Sequence, residues 1–427
     1  MDLVTGLILL LVFLATVVMI IRGQSPIIML LLLAIAWSAI AGIGVFDIQA
    51  KILQGGGIAY ASAIIIIVFG SWFAQVLIQT GIAESAIRAA VELAGDRPTV
   101  TAMVISLVTA LLFTSMYGVG AAIAIGVIAL PIMMSQGVPP RVAAPAFTMA
   151  IGASIFVNPV QFGTFQKLFP GIVYGGSHLT YWVIGMTVYL LCAWLLVAVN
   201  MRAHGVRHSS AIDMGAPAAL RARTPAYTFL VPVVPVIMIA VLKWEIIPTF
   251  LVSIVVALAV TGRQRSFQGS VNLFNKTFYD AFPDIATIAA LWTICGMIIV
   301  AGQTPQVTAA LQPIFAPILP QTTFQAALLF GILGGVLSIY RGPFTVIGTG
   351  AALLAIMLSG KQIPIAFLYS IWVAPTAIQS SMDPTNSWTL WTIGQTKVSH
   401  GDFLRTALPY GCAMVAVNSA IAYLMLG

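Results

Sequence analysis

The chain has 427 residues, of which 7% are charged and 60% are hydrophobic. A soluble domain carries roughly 25% charged residues, so this composition excludes an ordinary soluble protein and favours a polytopic membrane protein in a lipid bilayer. The net charge of +7 comes from scattered basic residues, and we therefore expect no nucleic-acid partner. Apolar segments recur along the whole chain, so we expect no signal peptide ahead of a soluble body.

Catalytic and cofactor motifs are missing from the sequence. The three cysteines, Cys192, Cys295 and Cys412, lie inside apolar segments and lack a metal-ligand spacing. Patterns for haem attachment, zinc hydrolysis and P-loop ATP binding do not occur. We expect no cofactor, no metal site and no catalytic residue, and we do not expect an enzyme.

The first half, residues 1–200, begins with apolar segments of the length that crosses a bilayer, about 20 residues. We predict scaffold helices in 1–98, a hairpin with a broken helix in 99–177, and a span at 178–200. The hairpin is predicted because the apolar block 100–134 is interrupted at Ser115-Met116-Tyr117-Gly118, which leaves arms too short for two full crossings. The next helix is predicted to break at Asn158-Pro159, because proline removes a backbone donor.

The second half repeats this order after a polar linker at 201–225, which we predict to be cytoplasmic. Its interruptions are Ser338-Ile339-Tyr340-Arg341 and Asp383-Pro384. Paired interrupted segments at corresponding positions point to a transporter binding site. The predicted units are scaffold helices at 226–320, a hairpin and broken helix at 321–396, and a last span at 405–427.

The repeat predicts the fold class: an all-α polytopic membrane protein with two inverted repeats, each of about five transmembrane helices plus a re-entrant hairpin and a broken helix. An odd number of spans per half inverts the second repeat. With both termini outside the inner (plasma) membrane, most basic residues lie inside, as the positive-inside rule requires. The basic residues left outside are Lys51, Lys167, Lys243 and Lys361.

Arg341 and Asp383 are the two charged residues that fall at the breaks of the second half. A guanidinium inside the membrane is costly and can hold a carboxylate with two hydrogen bonds. The alternative role for Arg341 is a structural pair with Asp383. Burial favours the neutral form of a carboxyl, so Asp383 is our candidate for proton coupling, with a sodium ligand as its rival. Its first-half counterpart is the uncharged Asn158.

Polar side chains and glycines cluster at all four breaks, where free N–H groups of helix N-termini favour an anion. For any single Ser or Thr, a hydrogen bond within its own helix is the alternative. Asp280 and Asp284, near the start of a span predicted at 281–301, are placed at the membrane interface, with a cavity-facing position as the alternative for Asp284. The predicted substrate-binding residues are Ser115, Tyr117, Gly118, Asn158, Gln161, Thr164, Ser338, Tyr340, Arg341, Thr345, Asn386 and Ser387.

Two segments carry a family resemblance. Residues 150–163 resemble the first substrate-binding break of the ion transporter superfamily. The run Asp383-Pro384-Thr385-Asn386-Ser387-Trp388 and the following Val398-Ser399 and Asp402 resemble the end of the gluconate permease and citrate–metal–proton symporter families. The resemblance implies a homodimer, an elevator motion of the hairpins and broken helices, and sugar acids or di- and tricarboxylates as substrates. The hairpin tips differ from the Ser-Asn-Thr of sodium–dicarboxylate symporters, which argues against sodium coupling.

The sequence therefore predicts a secondary active transporter that carries a small organic anion by proton-coupled symport. Two alternatives remain open. One is a cation/proton antiporter that uses Asp383, Asp280 and Asp284. The other is a transporter of a neutral or cationic solute held at Asp383.

Overall fold

The computed structural model describes residues 2–166, 168–203, 224–261, 266–315, 317, 319–346, 350–360 and 363–427. Throughout these residues the regular structure is helical and no strand is present. The predicted linker, apart from its first and last residues, lies outside the described residues, as do Lys167 and Lys361.

The first half consists of helices α1 to α9. The helix α3 contains a π-helical stretch at Ile48–Gly55. The nine helices are α1 (Asp2–Ile21), α2 (Pro26–Ile40), α3 (Val45–Gln79), α4 (Ile82–Ala94), α5 (Pro98–Phe113), α6 (Val119–Ser135), α7 (Pro140–Ser154), α8 (Pro159–Gln166) and α9 (Gly176–Ala203).

The second half repeats this order, so that α10 to α18 correspond one by one to α1 to α9. The helix α12 starts at Phe267, well before the predicted span at 281–301, which was too short. The helices are α10 (Ala226–Leu242), α11 (Ile246–Thr261), α12 (Phe267–Gly302), α13 (Pro305–Phe315), α14 (Thr323–Leu333), α15 (Gly350–Gly360), α16 (Ile365–Met382), α17 (Ser387–Thr396) and α18 (His400–Leu426).

Counterpart helices of the two halves pack against each other. The helix α3 packs on α12, α7 on α16 and α9 on α18. Likewise α2 packs on α12, while its counterpart α11 packs on α3. Reciprocal contacts of this kind arise when a twofold axis relates two units. The packing therefore agrees with the predicted inverted repeat, and α7 and α16 form the buried centre of the molecule.

Each broken helix stops and restarts through local sequence signals. Pro159 is the first residue of α8. The side-chain Oδ1 of Asn158 accepts a hydrogen bond from Val160 N at 2.8 Å and so caps this helix. The bend between α7 and α8 is 56°. In the second half, Asn386 caps α17 by accepting from Trp388 N at 3.2 Å. Both predicted breaks are therefore present, and each exposes a helix N-terminus inside the molecule.

Length and composition identify membrane-spanning helices among the described residues. Five are long and apolar enough to cross a bilayer, or six when the bent α7–α8 pair counts as one span. Other apolar helices, α2 and both arms of the first hairpin among them, are shorter than a typical crossing. Large apolar side chains such as Leu11 and Val241 lie exposed on the outer helices, as a lipid-facing surface requires. The chain is an all-α polytopic membrane protein, as the composition predicted.

Candidate functional site

The tip of the first hairpin is held by the break of α7 and α8. The Asn158 amide Nδ2 donates to the carbonyl oxygens of Phe113 at 2.8 Å and Met116 at 3.0 Å. Gly118, at the start of α6, has φ of +110°, a conformation that side-chain-bearing residues rarely adopt. One buried amide thus satisfies two carbonyl groups that the end of α5 and the tip leave unpaired.

The tip of the second hairpin is held in the same way but with opposite polarity. A 3₁₀ turn, Val336–Arg341, ends in Tyr340 and Arg341 with φ of +56° and +57°. This left-handed backbone directs the Arg341 N–H to the Asp383 carboxylate, at 3.0 Å. Asp383 is fully buried and also accepts from the N and Oγ1 of Thr385, both at 2.8 Å. Left-handed residues without glycine cost roughly 1–3 kcal/mol each and concentrate at functional sites.

The guanidinium of Arg341 is anchored on Thr385. Its Nε donates to Thr385 Oγ1 at 3.2 Å and its Nη2 donates to the Thr385 carbonyl oxygen at 3.5 Å. Only 5% of Arg341 is exposed. The same Thr385 hydroxyl donates to Asp383, so it bridges the guanidinium and the carboxylate. The arrangement fixes the position of the cation at the second tip.

The two tips meet at a small central cavity of about 20 Å³, room for about one water molecule. Both hairpin tips, the end of α16, the start of α17 and the middle of α12 contribute to its wall. Its polar wall is formed mainly by the second hairpin tip, the end of α16 and the start of α17, whereas α12 contributes the apolar Ile288 and Leu291. The lining residues are Tyr117, Val119, Thr287, Ile288, Leu291, Arg341, Gln379, Ser380, Asn386, Ser387 and Trp388.

Four predicted substrate-binding residues line this cavity: Tyr117, Arg341, Asn386 and Ser387. The Tyr117 ring packs edge-on against Trp388, with 6.3 Å between ring centroids, so the two halves touch across the cavity. Both aromatic rings are buried and give the wall a fixed shape.

The other predicted residues do not line the cavity. Several use their side chains in local hydrogen bonds, the alternative that we stated for Ser and Thr. Ser338 donates to the Gly334 carbonyl oxygen four residues earlier, whereas Ser115 donates to the distant Pro232 carbonyl oxygen of α10. Thr164 and Thr345 donate to carbonyl oxygens three residues earlier, at 2.7 and 2.9 Å.

Three further predicted residues have other surroundings. Gln161 accepts from the Tyr117 hydroxyl at 3.5 Å, directly behind the cavity wall. Gly118 lies against α3 at Ser71. Tyr340 is half-buried and packs against the apolar core outside the cavity.

Gln379 is a cavity residue that the sequence analysis missed. It lies on α16 one turn before Asp383, is 2% exposed, and its Nε2 has no hydrogen-bond partner among the described residues. A buried donor without a partner is costly, so its presence beside Arg341 points to a ligand. The spacing of one helical turn from the break could have indicated it.

Asp284 lies against the tip of the first hairpin. Because α12 begins at Phe267, Asp284 lies in the interior of that helix and not at a span's start. Its carboxylate accepts from the Gln75 side-chain amide of α3 and lies against the glycines of the first hairpin tip. It occupies the turn of α12 that precedes the cavity residues Thr287 and Ile288.

Among the described residues, no group of three or more His, Cys, Asp or Glu side chains could hold a metal ion. The fold and this enclosed site define an all-helical membrane protein with a small polar cavity at its centre.

Comparisons with known proteins place this fold among membrane transporters. The chain is similar to the crystal structure of the Alcanivorax borkumensis YdaH transporter, which was described as having an unusual topology. The TM-score is 0.62 at 13% sequence identity, over 96% of this chain and 98% of that one. No protein-family model matches the chain. No curated protein sequence matches it. The chain therefore shares the fold of that protein over 96% of its length.

Proposed function

We propose that this protein is a secondary active transporter of a small organic anion, such as a sugar acid or a di- or tricarboxylate, and that it works by proton-coupled symport. The shared fold with a transporter and the resemblance to the gluconate permease and citrate–metal–proton symporter families support the proposal. The observation that carries it is the Arg341 guanidinium at the wall of the central cavity.

A carboxylate fits this wall for electrostatic and geometric reasons. A guanidinium offers parallel N–H donors that match the two oxygens of a carboxylate. The Gln379 amide adds a neutral donor on the same wall, which suits a carbonyl or hydroxyl oxygen elsewhere on the substrate. The cavity of about 20 Å³ is too small for such a molecule, so substrate entry requires the tips to separate.

Asp383 is the proposed proton-coupling group of the second half, and sodium is the rival ion. The carboxylate oxygens of Asp383 accept in all three of its hydrogen bonds, which suits the ionised form. Protonation would replace one acceptor by a donor and loosen the tip that carries Arg341. Coupling then follows because proton binding and opening of the site favour each other.

The proposed motion is an elevator movement of the hairpins and broken helices against the scaffold helices. The cavity supports this division, because α12 forms one wall and the tips and breaks form the other. We also propose a homodimer in the inner (plasma) membrane with both termini outside, as the family resemblance and the distribution of basic residues suggest.

Uptake by proteoliposomes tests the proposal. Uptake of labelled gluconate, citrate and succinate is measured under an imposed pH gradient. The same uptake is then measured under an imposed sodium gradient without a pH gradient. We expect accumulation of at least one anion driven by the pH gradient and lost in Arg341→Ala. Arg141→Ala is the matched control, because Arg141 is 60% exposed and pairs with Asp402 at the surface.

Three results would contradict parts of the proposal. Uptake that follows sodium alone removes the proton coupling. Full affinity in Arg341→Ala removes the anion clamp. Sodium flux that depends on pH without any organic substrate would favour the cation/proton antiporter instead.

A further inference from the structure

Asp284 lies where a scaffold helix meets the first hairpin. A Cβ atom added to Gly120 would lie 2.1 Å from the Asp284 Oδ1 and 2.3 Å from its Oδ2. Gly118 would bring its Cβ to 3.6 Å from that of Asp284. The two glycines therefore form a cradle in which the carboxylate touches the backbone at the first turn of α6.

The side chain of Asp284 is hydrogen-bonded from α3 and lies against the first turn of α6. From α3, the Gln75 amide donates to its Oδ2, and Ser71 faces the same tip at Gly118. From the hairpin, the first turn of α6 presents backbone N–H groups that have no partner within the helix, together with the positive end of the helix dipole. A negative charge at this place attracts the hairpin tip to the scaffold.

The charged surroundings of Asp284 are sparse. On its own helix, Asp280 precedes it by one turn and is paired with Lys276 at 3.6 Å. The groups that face it from α3, Ser71 and Gln75, and from the hairpin, Gly118 and Gly120, carry no charge. The protonation state of Asp284 is thus the variable charge at this contact.

Asp284 differs from Asp383 in two respects that matter for proton exchange. Asp383 is fully buried, and it accepts hydrogen bonds from three donors of its own half. Asp284 is only partly buried, and it joins two parts of the molecule that would separate in transport.

We propose that Asp284 is a second proton-binding carboxyl, whose ionised form holds the first hairpin tip on α3 and α12 and whose protonated form releases it. The proposal rests on the proposed function, since it assigns a second coupling proton to that transporter. The proton moves from solvent water to a carboxylate oxygen of Asp284. Neutralisation removes the attraction to the start of α6 and so favours a separated tip.

A thiol reporter tests the release without any substrate. Val119, the first residue of α6, is replaced by Cys in the full chain, with Cys192, Cys295 and Cys412 changed to Ala. Maleimide labelling is followed in liposomes over a range of pH for Asp284→Asn and for Asp280→Asn. Both variants carry the same reporter thiol, so the ratio of their labelling rates at each pH does not depend on the ionisation of that thiol.

We expect Asp284→Asn to label about tenfold faster than Asp280→Asn at alkaline pH. A tenfold ratio corresponds to a free-energy difference of about 1.4 kcal/mol between the closed and the separated tip. At acidic pH the ratio falls to one, because Asp284 is then neutral in the control. Gly120→Ala provides an independent variant, since its methyl group displaces the carboxylate and gives fast labelling at every pH.

A ratio of one at every pH overturns the proposal, as does an elevated ratio that does not change with pH. Failure of anion transport would leave the labelling result readable, because no substrate is present. Conversely, loss of the pH-dependent release would leave the dependence of uptake on Arg341 intact, so the two proposals fail separately.

Discussion

The Asp383 carboxylate accepts a hydrogen bond from the backbone N–H of Arg341 at 3.0 Å, so the break of the second broken helix is fastened to the tip of the second hairpin. The Nε of the Arg341 guanidinium donates instead to the hydroxyl of Thr385. The carboxylate thus orients the backbone that carries the cation. The guanidinium itself lies at the cavity wall, where it can face a substrate.

Asp383→Asn is expected to weaken the second tip. The new amide N–H₂ would face the donors Arg341 N–H or Thr385, so one of the present bonds becomes a contact between two donors. Hydrogen bonds to charged groups contribute about 1.5–3 kcal/mol, and we expect a loss of stability of that size. The measurement is thermal unfolding in detergent, with Asp402→Asn as a surface control. Equal melting temperatures for both variants would contradict this role of Asp383.

Thr385→Val tests the bridge between the two charged groups. Its hydroxyl accepts from Arg341 Nε at 3.2 Å and donates to Asp383 Oδ1 at 2.8 Å, and valine has a similar shape without these bonds. Because the guanidinium loses its anchor, we expect KM for the transported anion to rise about tenfold while kcat changes little. Thr385→Ser keeps the hydroxyl and should restore the affinity. An unchanged KM in the valine variant would show that the anchor is dispensable.

Gln379→Leu separates binding from stability. The Nε2 of Gln379 is buried without a partner among the described residues, so an apolar side chain of similar size should leave the melting temperature unchanged or raise it. Loss of a substrate donor should nevertheless lower anion affinity about fivefold to tenfold. Gln379→Glu places a carboxylate near Arg341 and should weaken anion binding further. Tight anion binding by both variants would exclude Gln379 from the site.

Much of the fold follows from signals that lie close together in the sequence. Asn158-Pro159 ends α7 and caps α8, whereas Asp383-Pro384 ends α16 and Asn386 caps α17, and this chemistry is local. The hairpins follow from segment length and from the interrupting glycine, serine and tyrosine residues. The inverted repeat follows from the recurrence of both signals, and the reciprocal packing of α3 on α12 agrees with it.

The side chains of the site were harder to predict because their partners are distant along the chain. Ser338 carries a hydroxyl at a break, but it bonds its own helix, and no local pattern distinguishes that from a ligand. Asp284 meets the first hairpin only through the packing of α12 on α3. The polar start of α12, with Asn272 and Lys276, also concealed that this helix begins earlier than its apolar part.

Asn158→Asp gives the first break the aspartate that the second break carries, and we expect it to destabilise the protein. Asn158 Nδ2 donates to the carbonyl oxygens of Phe113 and Met116, whereas a carboxylate would set its oxygens against both. Two buried acceptors would lose their donor, and we expect a stability loss of about 2–4 kcal/mol. Asn158→Ala loses the bonds without the repulsion and should be destabilised less. A protonated carboxyl can donate one hydrogen bond, so acidic pH should partly restore Asn158→Asp and leave Asn158→Ala unchanged. Thermal unfolding of both variants across pH measures the difference, and equal, pH-independent losses would refute the idea that polarity distinguishes the two breaks.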